Sequence, residues 1–303
     1  MIITRHLRLK QILRLTWKTD LFLIVSCGLT YLIDVYVIPD FVLPAMFPTL
    51  LGTALAFFIG FMNNQAYDRW WEARKIWGAL VNDSRSWTRG ILHYCAPVSE
   101  EDQPTLTQVQ TRMVHRHISF LYALKSNLRS LPDNTYHRYL SQEEANQVDQ
   151  QSNVHNAILV NQSKDLEWLS RQGIIDGFRF MELNQMIVRF CDSMGKSERI
   201  KNTVFPTTYY YFNNLFIWFF VILITLVSGQ TIGPWSILFG WLIGFVFHTT
   251  HLIGVSILDP FENVPTGISL NQITRTIEIN LLQMLGETDI PQPVKPINDV
   301  YVM

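Results

Sequence analysis

The sequence is poor in charged residues. Asp, Glu, Lys and Arg make up 16% of its 303 residues, whereas a typical soluble domain carries about 25%. The 24 Lys and Arg residues nearly balance the 25 Asp and Glu residues, for a formal net charge of −1. This balance provides no basic surface for nucleic acid, so no nucleic-acid partner is expected. The hydrophobic fraction of 48% excludes an intrinsically disordered chain.

The sequence also lacks the motifs of several enzyme classes. Its three cysteines, Cys27, Cys95 and Cys191, form no closely spaced pair, so neither disulfides nor a cysteine-based metal site is expected. It contains no dinucleotide-binding glycine fingerprint, no Walker A loop and no nucleophile elbow. We therefore predict that the protein is not an enzyme and has no catalytic residues and no metal site.

One histidine pair leaves an alternative open. His248 and His251 are three residues apart, so on a helix they share a face and could bind a metal ion. A membrane metalloenzyme would need more such pairs and several carboxylates, and Asp259 is the nearest acid. The simpler interpretation is two polar side chains that face the interior of a helical bundle.

Two long runs contain no Asp, Glu, Lys or Arg, and they point to a membrane. Residues 41–67 form a run of 27 and residues 202–258 a run of 57, whereas one membrane-spanning helix needs about 20 apolar residues. Turn-forming residues interrupt the apolar sequence at 39–40 and at 228–234. We therefore predict an all-α protein with four transmembrane helices, at about 20–38, 42–67, 208–228 and 235–257.

The charged residues between and beside these spans predict the domain organisation and its orientation. Basic residues are frequent in 1–19 and directly after the second span, whereas the loops at 34–40 and 229–234 carry none. Positive-inside bias therefore places both termini and the middle region in the cytoplasm. The predicted domains are an N-terminal amphipathic segment with the first hairpin (1–67), a cytosolic helical bundle (68–201), the second hairpin (202–258), and a cytosolic helix and tail (259–303). Helices are predicted at about 105–130, 136–162, 163–195 and 269–286.

The second span carries two residue patterns that repeat every four positions. Small residues lie on one face, which lets helices approach closely in lipid: Gly52, Ala56 and Gly60. The adjoining face begins with a hydroxyl, continues with two phenyl rings and becomes polar: Thr53, Phe57, Phe61, Gln65 and Asp68. Copies of this helix around an axis would form a hydrophobic constriction, a device that channels use. Alternatively, the rings face lipid or a neighbouring span. A subunit with four spans would need a closed oligomer to conduct ions.

Several segments resemble the bestrophin family in its bacterial branch. The resemblance rests first on residues 58–61 and 63–78, which read FIGF and NNQAYDRWWEARKIWG. Asp259-Pro260-Phe261 after the fourth span is similar to the Asn-Pro-Phe of the family, and Gly195 and Phe205-Pro206 also match. The resemblance covers about residues 1–285.

This resemblance implies a homopentameric ion channel in a bacterial inner membrane, with one pore on the fivefold axis. The family's neck positions fall on Thr53, Phe57 and Phe61, and its cytosolic aperture falls near Phe178. Family members usually conduct small monovalent anions such as chloride, although some bacterial members are cation-selective, so a monovalent cation channel stays an alternative. A membrane scaffold that uses residues 68–201 as a partner platform is a further one.

The sequence departs from the family at its calcium clasp. Only Asp259 and Glu262 are acidic in 259–267, and Val264 and Gly267 stand where acids are expected. Calcium needs several oxygen ligands with net negative charge, so no calcium cofactor is expected.

The neck contains no fixed charge to choose between ions. An anion could be held there by the Thr53 hydroxyl and by the positive edges of the phenyl rings, whereas a cation could meet the ring faces. Asp68 in the predicted vestibule favours cations, and the adjacent Arg69 would offset it.

Overall fold

The structure is a computed structural model that describes residues 9–97, 99–131, 133–297 and 301. In this part of the chain there is no β-strand, which confirms the all-α prediction. Two 3-10 turns, Glu100–Asp102 and Thr135–Tyr139, accompany the helices. The α-helices are α1 (Leu9–Tyr36), α2 (Met46–Tyr94), α3 (Gln103–Arg129), α4 (Gln142–Asp149), α5 (Val154–Arg171), α6 (Gly177–Asn202), α7 (Thr207–Ile232), α8 (Trp235–Val255) and α9 (Leu270–Leu285).

Four helices are long and apolar enough to cross a membrane: Thr16–Tyr36 of α1, α2, α7 and α8. Each of them overlaps one of the four predicted spans, with ends that differ by up to four residues, except that α2 continues to Tyr94. The basic residues Arg5 and Arg8, on which the predicted orientation and N-terminal amphipathic segment partly depend, lie outside the described residues.

Two compact units divide the described chain. Residues 9–70 and 204–259 form the first, here called the apolar unit, and residues 71–203 and 260 onwards form the second, the charged unit. The boundary between them falls within α2. Each unit is described separately below.

The apolar unit packs α1, α7 and α8 together with the N-terminal part of α2. Its core contains aliphatic and aromatic side chains from these four helices: Leu23, Cys27, Leu55, Ile59, Ile217, Phe220 and Val221. Gly233 and Pro234 join α7 to α8, and the positive φ of 59° at Gly233 is a conformation that glycine adopts without strain. This two-residue turn makes the two helices an antiparallel hairpin.

Glycines in α8 allow the neighbouring helices to approach closely. A Cβ atom on Gly240 would lie 2.3 Å from Thr225 Oγ1 and 3.0 Å from Cys27 Sγ. One on Gly244 would lie 2.8 Å from Val221 Cγ2. Small residues at helix contacts are the usual packing device inside membranes.

The charged unit packs α3, α5, α6 and α9 with the C-terminal part of α2. Its largest buried side chains are aromatic, with Trp77, Trp87, Phe120 and Phe190 all fully buried. Ion pairs also lie within it, and Arg116 is the most buried of their arginines, with only 7% of its side chain exposed.

Helix boundaries in this unit differ from the predicted ones. The predicted helices at 136–162 and 163–195 are wrong, because α4 ends at Asp149, α5 runs from Val154 to Arg171 and α6 begins at Gly177. Asn153 caps the start of α5 by accepting a hydrogen bond from the Asn156 amide. Gly173, with a positive φ of 70°, lies in the turn that separates α5 from α6. The predicted helix start at Ser141 is confirmed, since its hydroxyl accepts from the Glu144 amide at 3.2 Å.

Candidate pore-lining site

The N-terminal part of α2 has one face packed inside the apolar unit. Leu55, Ile59, Met62 and Ala66 are fully buried, at spacings of three and four residues. Leu55 and Ile59 belong to the core that also contains Phe220 of α7. One face of α2 is therefore fixed by its own subunit, which determines the direction of the other face.

The predicted neck residues all lie on the opposite, exposed face of α2. Phe57 is 69% exposed and Phe61 is 46% exposed, and Thr53 is exposed one turn earlier. At 100° per residue this strip points roughly 160° away from the buried face, and it extends for about 12 Å along the helix. The structure thus places three side chains in line, facing away from the core of the apolar unit.

The small residues beside this strip differ in their contacts. A Cβ atom on Gly52 would lie 2.7 Å from Cε2 of Phe220, so Gly52 makes space for a neighbouring helix of the same subunit. Gly60 has no heavy atom within 4 Å of such a position, and Ala56 is exposed. The second and third small residues leave α2 accessible to another helix.

The hydroxyl of Thr53 is oriented by its own helix. Its Oγ1 donates a hydrogen bond to the carbonyl oxygen of Thr49 at 2.9 Å. Because a hydroxyl has a single proton, Thr53 presents its lone pairs on the exposed face. The hydroxyl proton is thus engaged within α2 in this conformation, and the expectation that this hydroxyl holds an anion stays a prediction.

The strip becomes polar after Phe61. Gln65 and Asp68, the predicted vestibule residues, are both exposed on the same face. Asn64 is also exposed there, and sequence analysis gave it no role. Its spacing could have identified it, since it lies seven residues after Phe57 and three after Phe61, on the same side of the helix.

The aromatic rings of the strip are supported from the sides. The Phe57 ring meets the Phe58 ring edge-on, with centroids 5.8 Å apart. The Phe61 ring lies 6.3 Å from the ring of Tyr209 on α7. These contacts favour one orientation for each phenyl ring without covering its exposed side.

Phe178, the predicted aperture residue, lies in the charged unit and is 91% exposed. It is the second residue of α6, whose start is fixed by Asp176 accepting from the Arg179 amide at 2.8 Å. Arg179 also donates to the carbonyl oxygen of Tyr94 at 2.8 Å. The Phe178 ring therefore packs against little of its own chain, although the helix end that carries it is anchored.

The segment in which the family's calcium clasp would lie forms a compact loop. The Ile268 amide donates to the Pro260 carbonyl at 2.8 Å, and a Cβ atom on Gly267 would lie 2.3 Å from the Glu262 carbonyl oxygen. Glycine is therefore required at 267 by the turn itself. Glu262 is exposed, and the described residues hold no group of three or more His, Cys, Asp or Glu side chains suited to a metal ion.

The histidine pair of the metalloenzyme alternative lies on α8. His251 is buried, its ring centroid lies 5.4 Å from that of Tyr210, and neither ring nitrogen has a hydrogen-bond partner. His248 is partly exposed. Within the described residues the pair has no third ligand.

Comparison with known proteins decides the family. The family model described as bacterial/fungal bestrophin protein matches residues 3–283. The chain belongs to this bestrophin family. The resemblance drawn from its sequence motifs is thereby confirmed.

Curated relatives and solved structures agree with this membership. The voltage-dependent anion channel-forming protein YneE of Escherichia coli is 28% identical over 249 residues, which cover 82% of this chain and 79% of the relative. A voltage-dependent anion channel-forming protein of Ralstonia nicotianae is 28% identical and covers 80% and 78%. The crystal structure of a bacterial bestrophin homologue from Klebsiella pneumoniae has a TM-score of 0.81 at 23% identity and covers 89% of this chain and 98% of that one.

Family membership settles the broad class of this bestrophin. It is a membrane protein of a channel family and not an enzyme, as predicted. The metalloenzyme alternative built on His248 and His251 is therefore wrong.

Proposed function

We propose that five copies of this chain assemble around an axis with the exposed face of α2 innermost. Thr53, Phe57 and Phe61 then form the neck of a central pore. The observation that carries the proposal is that two large phenyl rings are exposed directly opposite the face that α2 packs against its own subunit. Ala56 and Gly60 beside them leave space for the neighbouring copy.

We propose that the pore conducts small monovalent anions such as chloride. The neck contains no charged side chain, so ions must be stabilised there by dipoles while they lose water. Phenyl edges carry positive potential, and the Asn64 amide adds a hydrogen-bond donor just beyond the rings. The relatives from Escherichia coli and Ralstonia nicotianae are named as voltage-dependent anion channel-forming proteins, which supports the same choice.

A monovalent cation channel of the same architecture stays the second candidate. The lone pairs of Thr53 and the carboxylate of Asp68 lie on the exposed face and would both attract cations. Arg69, adjacent to Asp68, would oppose this attraction. The balance between them is measurable as ion selectivity.

The remaining features of the proposal concern the environment of the channel. We place it in the bacterial inner membrane with both termini in the cytoplasm, because Arg74 and Lys75 follow the second span whereas the connection between α7 and α8 carries no basic residue. The charged unit is then the cytosolic bundle, and Phe178 lines its aperture. Calcium is not required, because the segment 259–267 holds two acids, Asp259 and Glu262, which are fewer than the several ligands that calcium needs.

Two measurements test the proposal. The mass of the detergent-solubilised protein should equal five chains, and one or two chains would favour a scaffold over a channel. In a planar bilayer with a NaCl gradient, the reversal potential should move towards the equilibrium potential of chloride. Movement towards that of sodium would select the cation channel, and absence of current would contradict both.

A further inference from the structure

A cavity in the charged unit has no role in the proposed conduction. Its volume is about 680 Å³, and it lies between α3, the following loop and α9. Three of the residues that line it are cations, namely Lys125, Arg129 and Arg275. Cavities of this volume accommodate small organic ligands, and they are larger than a single ion requires.

Two of the three cations are neutralised by acids of the same unit. Lys125 Nζ lies 2.7 Å from Asp133 Oδ2, and Arg275 Nε lies 2.8 Å from Glu278 Oε2. Both acids are held by further donors, since Thr135 donates to Asp133 and Tyr122 donates to Glu278. Each of these two acids is therefore already paired with a cation and does not neutralise the third.

Arg129 is the cation that is left over. Within the described part of the chain it forms no ion pair, and a terminal nitrogen donates a long hydrogen bond of 3.4 Å to the Ile268 carbonyl. Its Nε is buried and has no partner. Burial lowers the pKa of Arg129, with no nearby carboxylate to offset the effect. A half-buried guanidinium without an acid is costly unless something anionic binds it.

We propose that this cavity is a binding site for a small organic oxyanion, whose carboxylate or phosphate group pairs with the guanidinium of Arg129. The planar fork of arginine matches both groups. Polar side chains around it, including Asn134 and Asn271, provide neutral hydrogen bonds for the rest of the ligand. The three cations of the cavity wall, set against Asp133 in the wall and the Glu278 that pairs with Arg275, leave one positive charge, which one negative charge on the ligand would neutralise.

Calorimetric titration of the intact protein in detergent tests this site directly. The probes are inorganic phosphate and succinate, with NaCl at matched ionic strength as the reference. Saturable binding of phosphate alone assigns the site to phosphate compounds, of succinate alone to carboxylates, and of both to oxyanions in general. Saturable binding of neither probe, or equal competition by chloride, would overturn the proposal.

Variants locate the binding. Arg129→Gln should lower the affinity for the probe by about tenfold or more, because a charge-assisted hydrogen bond is lost. Asn271→Asp changes little in size but adds a negative charge to the cavity wall, so it should also weaken binding, and it serves if Arg129→Gln fails to fold. Arg171→Gln is the matched control, since Arg171 is 76% exposed and pairs with Glu167. Equal affinity in all three variants and the wild type would contradict the site.

Discussion

Thr225 and Thr53 in the apolar unit each donate a hydrogen bond within their own helix, whereas ion pairs in the charged unit join different elements. Thr225 donates to Val221 and Thr53 to Thr49, each four residues back. In the charged unit Arg116 instead joins α3 to Glu144 of α4 and Asp165 of α5. One unit is thus specified by close helix packing and the other by paired charges.

This difference explains why the predicted neck can remain uncharged. In the core of the apolar unit, glycines in α8 and aliphatic side chains make the contacts between helices. The exposed strip on α2 is then free to carry phenyl rings. Removal of a buried charge should therefore destabilise the charged unit most, whereas an increase in side-chain size should destabilise the apolar unit most.

The largest effect is expected at the buried ion pairs of the charged unit. Arg116 lies 2.6 Å from Glu144 and 2.5 Å from Asp165, and these carboxylates raise the pKa of Arg116 despite its burial. Arg116→Met should lower the free energy of unfolding by about 3–5 kcal/mol, because two acids are left with a buried apolar neighbour. Denaturant unfolding in detergent measures this.

Arg112 provides the matched control. It pairs with the same Asp165 at 2.9 Å, but 48% of its side chain is exposed. Arg112→Met should therefore cost less than about 1 kcal/mol. Equal losses in the two variants would show that burial of the pair does not matter.

A smaller effect is expected from size changes in the apolar unit. Gly240→Ala places a methyl group where Thr225 and Cys27 already lie, and overpacking of this kind costs about 1–3 kcal/mol. Gly28→Ala on α1 meets no atom within 4 Å and should be neutral or stabilise by up to about 1 kcal/mol. Thermal unfolding in the same detergent compares the two, and similar losses would contradict the packing described here.

The third effect depends on pH. His117 is fully buried, and burial lowers its pKa to about 3. Ser84 donates to the Leu80 carbonyl, so His117 Nε2–H must donate to Ser84 at 2.8 Å, and Nδ1 has no partner. The unfolded chain takes up a proton near pH 6.5 and the folded chain does not, so stability falls as pH decreases from about 6.5 towards 3.

His117→Gln should remove this dependence. The wild type should lose up to about 1.4 kcal/mol per pH unit more than the variant below pH 6.5. Above that pH the two stability curves should run parallel. Parallel curves down to pH 4 would show that the buried imidazole is not neutral in the folded protein.

The smallest expected effect is that of calcium. Addition of calcium should change neither the current nor the unfolding temperature relative to magnesium, since the loop 260–267 offers a single acid. If calcium did bind the folded protein, a free calcium concentration of 100 times its Kd would raise the free energy of unfolding by about 2.7 kcal/mol. A calcium-specific rise in unfolding temperature that Glu262→Gln removes would contradict the prediction.

The sequence alone predicted the features that depend on a single helix, namely its apolar length and the residues that share one face. Charge-free runs located α7 and α8, and the four-residue spacing of Thr53, Phe57 and Phe61 placed them on one face. Rotation of that face relative to the core depends on contacts such as those of Leu55 with α7, which a single sequence does not reveal. The Thr53 hydrogen bond and the position of Asn64 became evident only with that rotation.

The helices of the charged unit were harder to delimit. Its surface is polar on several sides, so apolar periodicity does not mark where α5 and α6 begin. The breaks depend on Asn153 and Gly173, and the Gly173 conformation follows from local backbone geometry. The Arg129 cavity was equally hidden, because Lys125 and Arg129 of α3 meet Arg275 of α9 only in the folded chain.

The central claim is that the exposed rings of α2 line the ion pathway. Its most direct test is a bilayer recording of Phe57→Ala with Phe61→Ala against Phe219→Ala with Phe239→Ala, whose rings are also about half exposed but lie on α7 and α8. In a NaCl gradient the α2 pair should raise single-channel conductance or shift the reversal potential, whereas the control pair should behave as wild type. Unchanged currents in the α2 variant, or equal changes in both, would contradict the account.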